Sequence, residues 1–283
     1  MILAAFRAEW FKLSRRPAVW VTIGLLLALA IGIGYLVTYL VATHPPSTSA
    51  ANAAELATLR PGLYPSSLVP KALSNANTFD AIFALVLGAL AQGSEYVWST
   101  VKTAAIQLPG RLTIISGQLS AVTSLMLVAT LLVFASGAAA SCAIAVADGH
   151  SIAFPSGIDV LKGIGGEWLI FDFAAVFGFG LATVFRQSAM PIGLGLGYVL
   201  LVEALVFALV ERLGDTFKTA HELFPMANSQ YLQNSFGQVG GIVGVVISAR
   251  SEPSAGHAVV ALAMWIIGVA ALSAALVKQR DIL

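Results

Sequence analysis

Few residues in this chain could do chemistry, and most of them lie in apolar surroundings. Glu203 interrupts the run Ala189–Val210 and Asp172 the run Trp168–Phe185, while Asp80 stands near the start of Thr78–Gln92. A carboxylate inside such a run is costly unless it is neutral, paired, or turned toward water or protein. Glu203 therefore either lines a substrate path or relays a proton, or it hydrogen-bonds between helices for packing. Asp172 carries the same two readings, and Asp80 reads as a helix-start residue. The four histidines (His44, His150, His221, His257) are scattered without metal-ligand spacing, and Cys142 stands alone. Nothing points to a metal. The chain contains no Gly-x4-Gly-Lys-Ser/Thr run, no Gly-x-Ser-x-Gly and no His-Glu-x-x-His, the patterns that would announce nucleotide binding or hydrolysis.

The elements that must hold these residues follow from composition. Of 283 residues, 58% are hydrophobic and 10% charged, and the mean hydropathy is +0.87. Soluble domains carry about 25% charged residues. A soluble enzyme and a disordered chain are thereby excluded. The formal net charge of +1 gives no basic field for a phosphate backbone, so no nucleic acid is expected as a partner. The lipid bilayer is. The expected fold is all-α: a polytopic membrane protein, one transmembrane domain over 1–283.

Six apolar runs are read as six transmembrane helices: Ala18–Ala42, Thr78–Gln92, Leu112–Ala147, Trp168–Phe185, Ala189–Val210 and Ala258–Val277. The first is too long for a signal-peptide core and reads as an uncleaved anchor. The second is short of a ~30 Å hydrocarbon core and needs turns from its flanks; the third reads as one long protruding helix. With the ends on one side, that side holds nine Lys and Arg in 45 residues and the other six in 102. The positive-inside rule then places both termini in the cytoplasm.

Before the first run, residues 1–17 pattern as an amphipathic helix. Ile2, Leu3, Phe6, Trp10 and Leu13 share one face, Glu9 and Lys12 lie on others, and Pro17 ends it. It reads as an interfacial elbow helix, or else as a basic tail that only sets topology. Between the second and third runs, 93–111 reads as a cytoplasmic loop holding a short helix. Ser94 would cap it, Glu95 would sit in its first turn, and Pro109–Gly110 would end it. Gly193 and Gly197 form a GxxxG pair, suited to a subunit interface or to packing of neighbouring spans within the chain. The last outer loop, 211–257, contains Gly240–Ser248, too short to cross and able to lie at the surface or re-enter.

Glu95-Tyr96, Thr100, Lys102, Pro109 and Arg111 resemble the cytoplasmic loop of type 2 ABC exporter permeases, six-span bacterial membrane subunits served by a separate ATPase. The match departs at Ser99, where the family carries glycine, and in Pro-x-Arg, where the family has Pro-x-x-Arg. Glu9 and Lys12 in the N-terminal helix, Phe185–Ser188, Phe224–Asn228 and Arg280-Asp281 agree with it. The resemblance implies the following. The chain is a non-enzymatic permease of the bacterial cytoplasmic membrane. It forms the substrate path as a dimer with a second copy of itself or a related permease. ATP and Mg sit on the partner ABC ATPase, with no cofactor on this chain. Glu9, Lys12, Glu95, Tyr96, Thr100, Lys102 and Arg111 couple to that ATPase, and Glu203, Asp172, Gly193 and Gly197 belong to the substrate path or dimer seam. It also favours a re-entrant outer loop. The alternatives are a non-transporting regulatory or assembly subunit and, behind it, an intramembrane enzyme. The sparse polar groups of the spans suggest a hydrophobic or amphipathic cargo.

Overall fold

A computed structural model describes residues 2–44, 56, 59–75, 80–98, 110–203, 205–206, 222–237, 239 and 254–279. The described residues are predominantly helical, without strands. Helix α1 covers Ile2–Arg15. Arg16 takes an extended backbone and Pro17 occupies the first turn of α2, where its missing N–H costs nothing. Helix α2 runs Pro17–Thr43 as one rod, widened to a π turn over Gly32–Val37. Then come α3 (Leu68–Asn75), α4 (Ala81–Val97), α5 (Arg111–Ala147), α6 (Gly157–Phe185), α7 (Ala189–Gly197, continued by a π turn over Tyr198–Val202), α8 (Pro225–Asn234) and α9 (Ala255–Gln279).

Four of these, α2, α5, α6 and α9, are long and apolar enough to cross a membrane. Under the second and fifth expected spans lie the shorter apolar helices Ala81–Val97 and Ala189–Val202. The third run is one helix of 37 residues, about 55 Å long. The second run does gain its extra turns from Gly93–Val97.

That gain overturns one expectation. Ser94 does not cap a new helix and Glu95 does not open one. Both lie in the last turn of α4, and the Ser94 hydroxyl donates back to the Leu90 carbonyl at 2.6 Å. The apolar stretch before them is too short by itself, so the helix runs on through the polar residues. Thr100, Lys102 and Pro109 lie outside the described residues, as do the Gly240–Ser248 run and Arg280-Asp281.

Helix α6 begins eleven residues before the expected run, so 157–167 is helix and not outer loop. Its start is capped by Ser156, whose hydroxyl accepts from the Asp159 N–H at 3.2 Å and donates to the Asp159 carboxylate at 2.6 Å. Helix α6 is the centre of the bundle. Two-thirds of its apolar stretch is buried, against 17% for α9. Phe171, Phe173 and Phe179 are fully covered and meet Leu85, Leu87, Met126 and Leu262 in one core.

Glycines set the closest approach. A Cβ at Gly88 of α4 would fall 1.8 Å from the Ala175 carbonyl oxygen of α6, and one at Gly178 would fall 2.2 Å from that of Leu85. Further along α4, Gly93 meets Ser188, so α4 and α6 run in the same direction. Helix α5 runs against α6, with Phe134 beside Gly163 and Trp168 bonded to the Thr123 carbonyl. The chain ends therefore sort into two groups. Arg16, Glu95, Arg111, Ser188 and Lys278 gather at one end of the bundle; Tyr39, Arg60, Asp148, Glu222 and His257 gather at the other.

Candidate functional site

The charged residues near the chain's start meet those before residue 99. Helix α1 lies along α5, with Ala5 against Gly117, and buries Ala5, Glu9 and Leu13, leaving Ile2, Leu3 and Phe11 exposed. This corrects the expected face: Glu9 turns inward. The reason is Lys12, one turn on, whose ammonium bridges Glu9 at 2.7 Å and Glu95 of α4 at 3.0 Å. Burial holds the Glu9 carboxyl above its ordinary value, with Lys12 working against the rise.

Glu95 is 1% exposed. Its second oxygen takes a hydrogen bond from the Arg16 guanidinium. Arg16 also donates to the Ser94 hydroxyl at 2.6 Å and lies 5.2 Å from the centre of the Trp98 ring. Four side chains from α1, the α1–α2 joint and α4 thus form one ionic cluster, Glu9–Lys12–Glu95–Arg16. Of these, sequence patterning missed the part played by Arg16, which read only as a basic flank. Its position beside Pro17 is the signal that fixes its direction. Tyr96 adjoins the cluster on α4, with its hydroxyl accepting from Gln92 at 3.4 Å. Arg111 begins α5 and donates to the last carbonyls of α9, those of Val277 and Lys278, a favourable place for a cation.

Glu203 is 2% exposed and joins elements. One oxygen accepts from the Tyr198 hydroxyl at 2.5 Å and from the Met226 N–H at 3.2 Å, and the other from the Ala227 N–H at 3.2 Å. It therefore caps the N-terminus of α8 from outside, satisfying two free N–H groups where the helix dipole favours an anion. The Phe224–Asn228 stretch noticed in the sequence is the start of that helix. His257 and Trp265 of α9 bond the Glu222 and Leu223 carbonyls just before it. Of the two readings of Glu203, the geometry realises the bridge between helices.

Asp172 is buried on α6 beside Thr123 of α5, and its Oδ1 has no hydrogen-bond partner among the described residues. It is not brought to Glu203's cap. At Gly193 and Gly197 an added Cβ would meet nothing within 4 Å, while Gly195 packs on Leu85. The GxxxG pair does not pack α6 against α7; among the described residues nothing covers that face of α7.

At the opposite end Asp148 collects Arg60 through two hydrogen bonds at 2.6 and 2.9 Å, Tyr64 at 3.0 Å and Tyr39 at 3.1 Å. Arg60 above all holds the Asp148 carboxyl at about 2. No local spacing links these residues, and no sequence pattern pointed to them. Among the described residues no group of three His, Cys, Asp or Glu could hold a metal ion. A comparison with known protein families finds no match, and a comparison with curated proteins finds no relative.

Proposed function

We propose that this chain is the membrane permease subunit of an ATP-driven ABC exporter, which forms the substrate path as a dimer and is driven by a separate ATPase. The observation that carries this reading is the ionic cluster Glu9–Lys12–Glu95–Arg16. It makes α1, the start of α2 and the end of α4 a single unit. A subunit closing on ATP moves as a body, and such a unit relays the movement to two membrane helices at once. Glu95 is buried, so within this reading it is a positioning residue that sets α1 and the following segment against the ATPase. In this reading Lys12, Tyr96 and Arg111 belong to the surface that meets it, and the resemblance adds Thr100 and Lys102 to that set.

In this reading the cluster faces the cytoplasm of a bacterial cell and both termini lie there. Helix α1 lies at the bilayer surface. Helices α4 and α7 complete a set of six spans with the residues that flank them. ATP and Mg belong to the partner. The open face at Gly193 and Gly197 supports a second permease copy packed on α7.

The test is purification of the tagged full chain from its native membranes in mild detergent. The expected result is stoichiometric recovery of an ATP-hydrolysing subunit, with hydrolysis lowered by Glu95→Gln while the complex stays assembled. A folded chain recovered without any ATPase, even after cross-linking in the membrane, overturns the reading.

A further inference from the structure

A second set of ionisable groups, unused by the exporter reading, gathers away from the cluster. Asp80 stands at the first turn of α4 and Glu167 on α6, 1% and 0% exposed. None of their four oxygens has a hydrogen-bond partner among the described residues. The same holds for the Tyr35 hydroxyl, buried on the π turn of α2. Asp80 and Tyr35 both lie close enough to Glu167 for their charges to interact. Lys71 of α3 completes the set, its ammonium 6.0 Å from the centre of the Tyr35 ring. Burial alone pushes Lys71 down to about 8.

An ionised carboxylate only accepts hydrogen bonds. Two of them, buried without donors, would be costly separately and more so together. A metal ion would need a richer donor set than two carboxylates. A proton does not. Among the described residues the remaining neighbours of α6 do not neutralise the pair. Helix α5 carries no charged group from Leu112 to Ala147 and only Cys142, half-buried, as a titratable one. Helix α7 carries none over Ala189–Gly197, α8 offers the buried Tyr231, and α9 has the exposed His257 at its start and nothing more before Lys278. On α6 itself, Asp159 and Lys162 are exposed and Asp172 lies beside Thr123.

We propose that Asp80 and Glu167 form a proton-binding site: the packed arrangement holds an exchangeable proton on the pair. Losing it leaves two like charges that drive the first turn of α4 away from α6. Uptake forms one carboxyl O–H bond with a proton from water and nothing else changes hands. The site is independent of the exporter reading, and its test needs neither ATPase nor cargo.

The test is infrared spectroscopy of the purified full chain in lipid nanodiscs across a pH series. A carbonyl-stretch band of a protonated carboxylic acid is expected, shifting in D₂O and fading as pH rises. Asp80→Asn and Glu167→Gln should each remove or halve it, and Asp172→Asn should leave the pair's share in place. A folded Asp80→Asn or Glu167→Gln that keeps the full band overturns the site. Should both variants fail to fold, the wild-type band decides: one that neither exchanges in D₂O nor responds to pH overturns it too.

Discussion

Glu95→Gln removes the charge that ties α1 to α4 and keeps the shape of the side chain. Oε1 accepts from Arg16 and Oε2 from Lys12 at 3.0 Å. A hydrogen bond to a charged group contributes about 1.5–3 kcal/mol. The Arg16 side chain is 14% exposed and its bond counts nearly in full. The Lys12 side chain is 32% exposed and retains Glu9 at 2.7 Å, so its share falls to about 0.5 kcal/mol. Arg16 keeps the Ser94 hydroxyl, which holds the loss below the ~3–5 kcal/mol of a stranded buried charge. The expected destabilisation is about 2–3 kcal/mol on those grounds. Denaturant unfolding of the purified chain in detergent, followed by tryptophan fluorescence, reads it directly. A double-mutant cycle with Arg16→Met should give a coupling of about 1–2 kcal/mol, because each single change already breaks the shared bond. A Gln variant within about 0.5 kcal/mol of wild type, uncoupled from Arg16, would refute the assignment of the cluster as the tie between the helices.

Four further outcomes can be checked. Glu203→Leu should destabilise the chain by about 1–2 kcal/mol, since two N–H groups of α8 lose their acceptor, while Glu203→Gln keeps one oxygen and loses less; thermal melts of the two variants compare them. The Asp148 carboxyl lies below its ordinary value of about 3.9, so it contributes stability above that pH that is lost as pH falls toward about 2; the melting temperature should drop over that window in wild type and stay flatter in Asp148→Asn. Gly88→Ala should force α4 and α6 apart and cost about 1–3 kcal/mol or more, whereas Gly193→Ala should leave the melt of the isolated chain unchanged and lower the dimer fraction in cross-linking. With Cys142 replaced, a cysteine at Ser156 should label with an impermeant reagent on intact cells and one at Val97 should not; the reverse pattern would invert the orientation.

Hydropathy alone marked the long helices, because α2, α5, α6 and α9 each contain an apolar stretch of membrane-crossing length. It misjudged where they begin and end. The start of α6 depends on an N-cap, Ser156 with Asp159, and the charges at Asp159, Lys162 and Glu167 hide that helix from a search for apolar runs. Glu167 was thus assigned to a loop, and its pairing with Asp80 stayed invisible. Ser94 has the right residue type for a helix start, yet the apolar residues of α4 pack through it and the helix continues. The cluster was half legible. The resemblance singles out Glu9, Lys12 and Glu95, while the contact of Glu95 with Arg16 spans 79 positions that no local pattern can bridge. Glu203 stands out as a carboxylate in an apolar run, but the N–H groups it caps, those of Met226 and Ala227, lie 23 and 24 positions on, outside the reach of a local pattern.

The crossing of α4 and α6 at Gly88 and Gly178 has a mechanical consequence. Where backbone touches backbone with no side chain between, two helices can rock about the contact but cannot slide along it. Glu95 lies seven residues from Gly88 and Asp80 eight, arms of about 10 and 12 Å. The crossing is therefore a fulcrum near the midpoint of a lever. A sideways displacement at Glu95 arrives at Asp80 reversed in direction and almost unchanged in size, and a charge appearing at Asp80 works back on Glu95 through the same short beam.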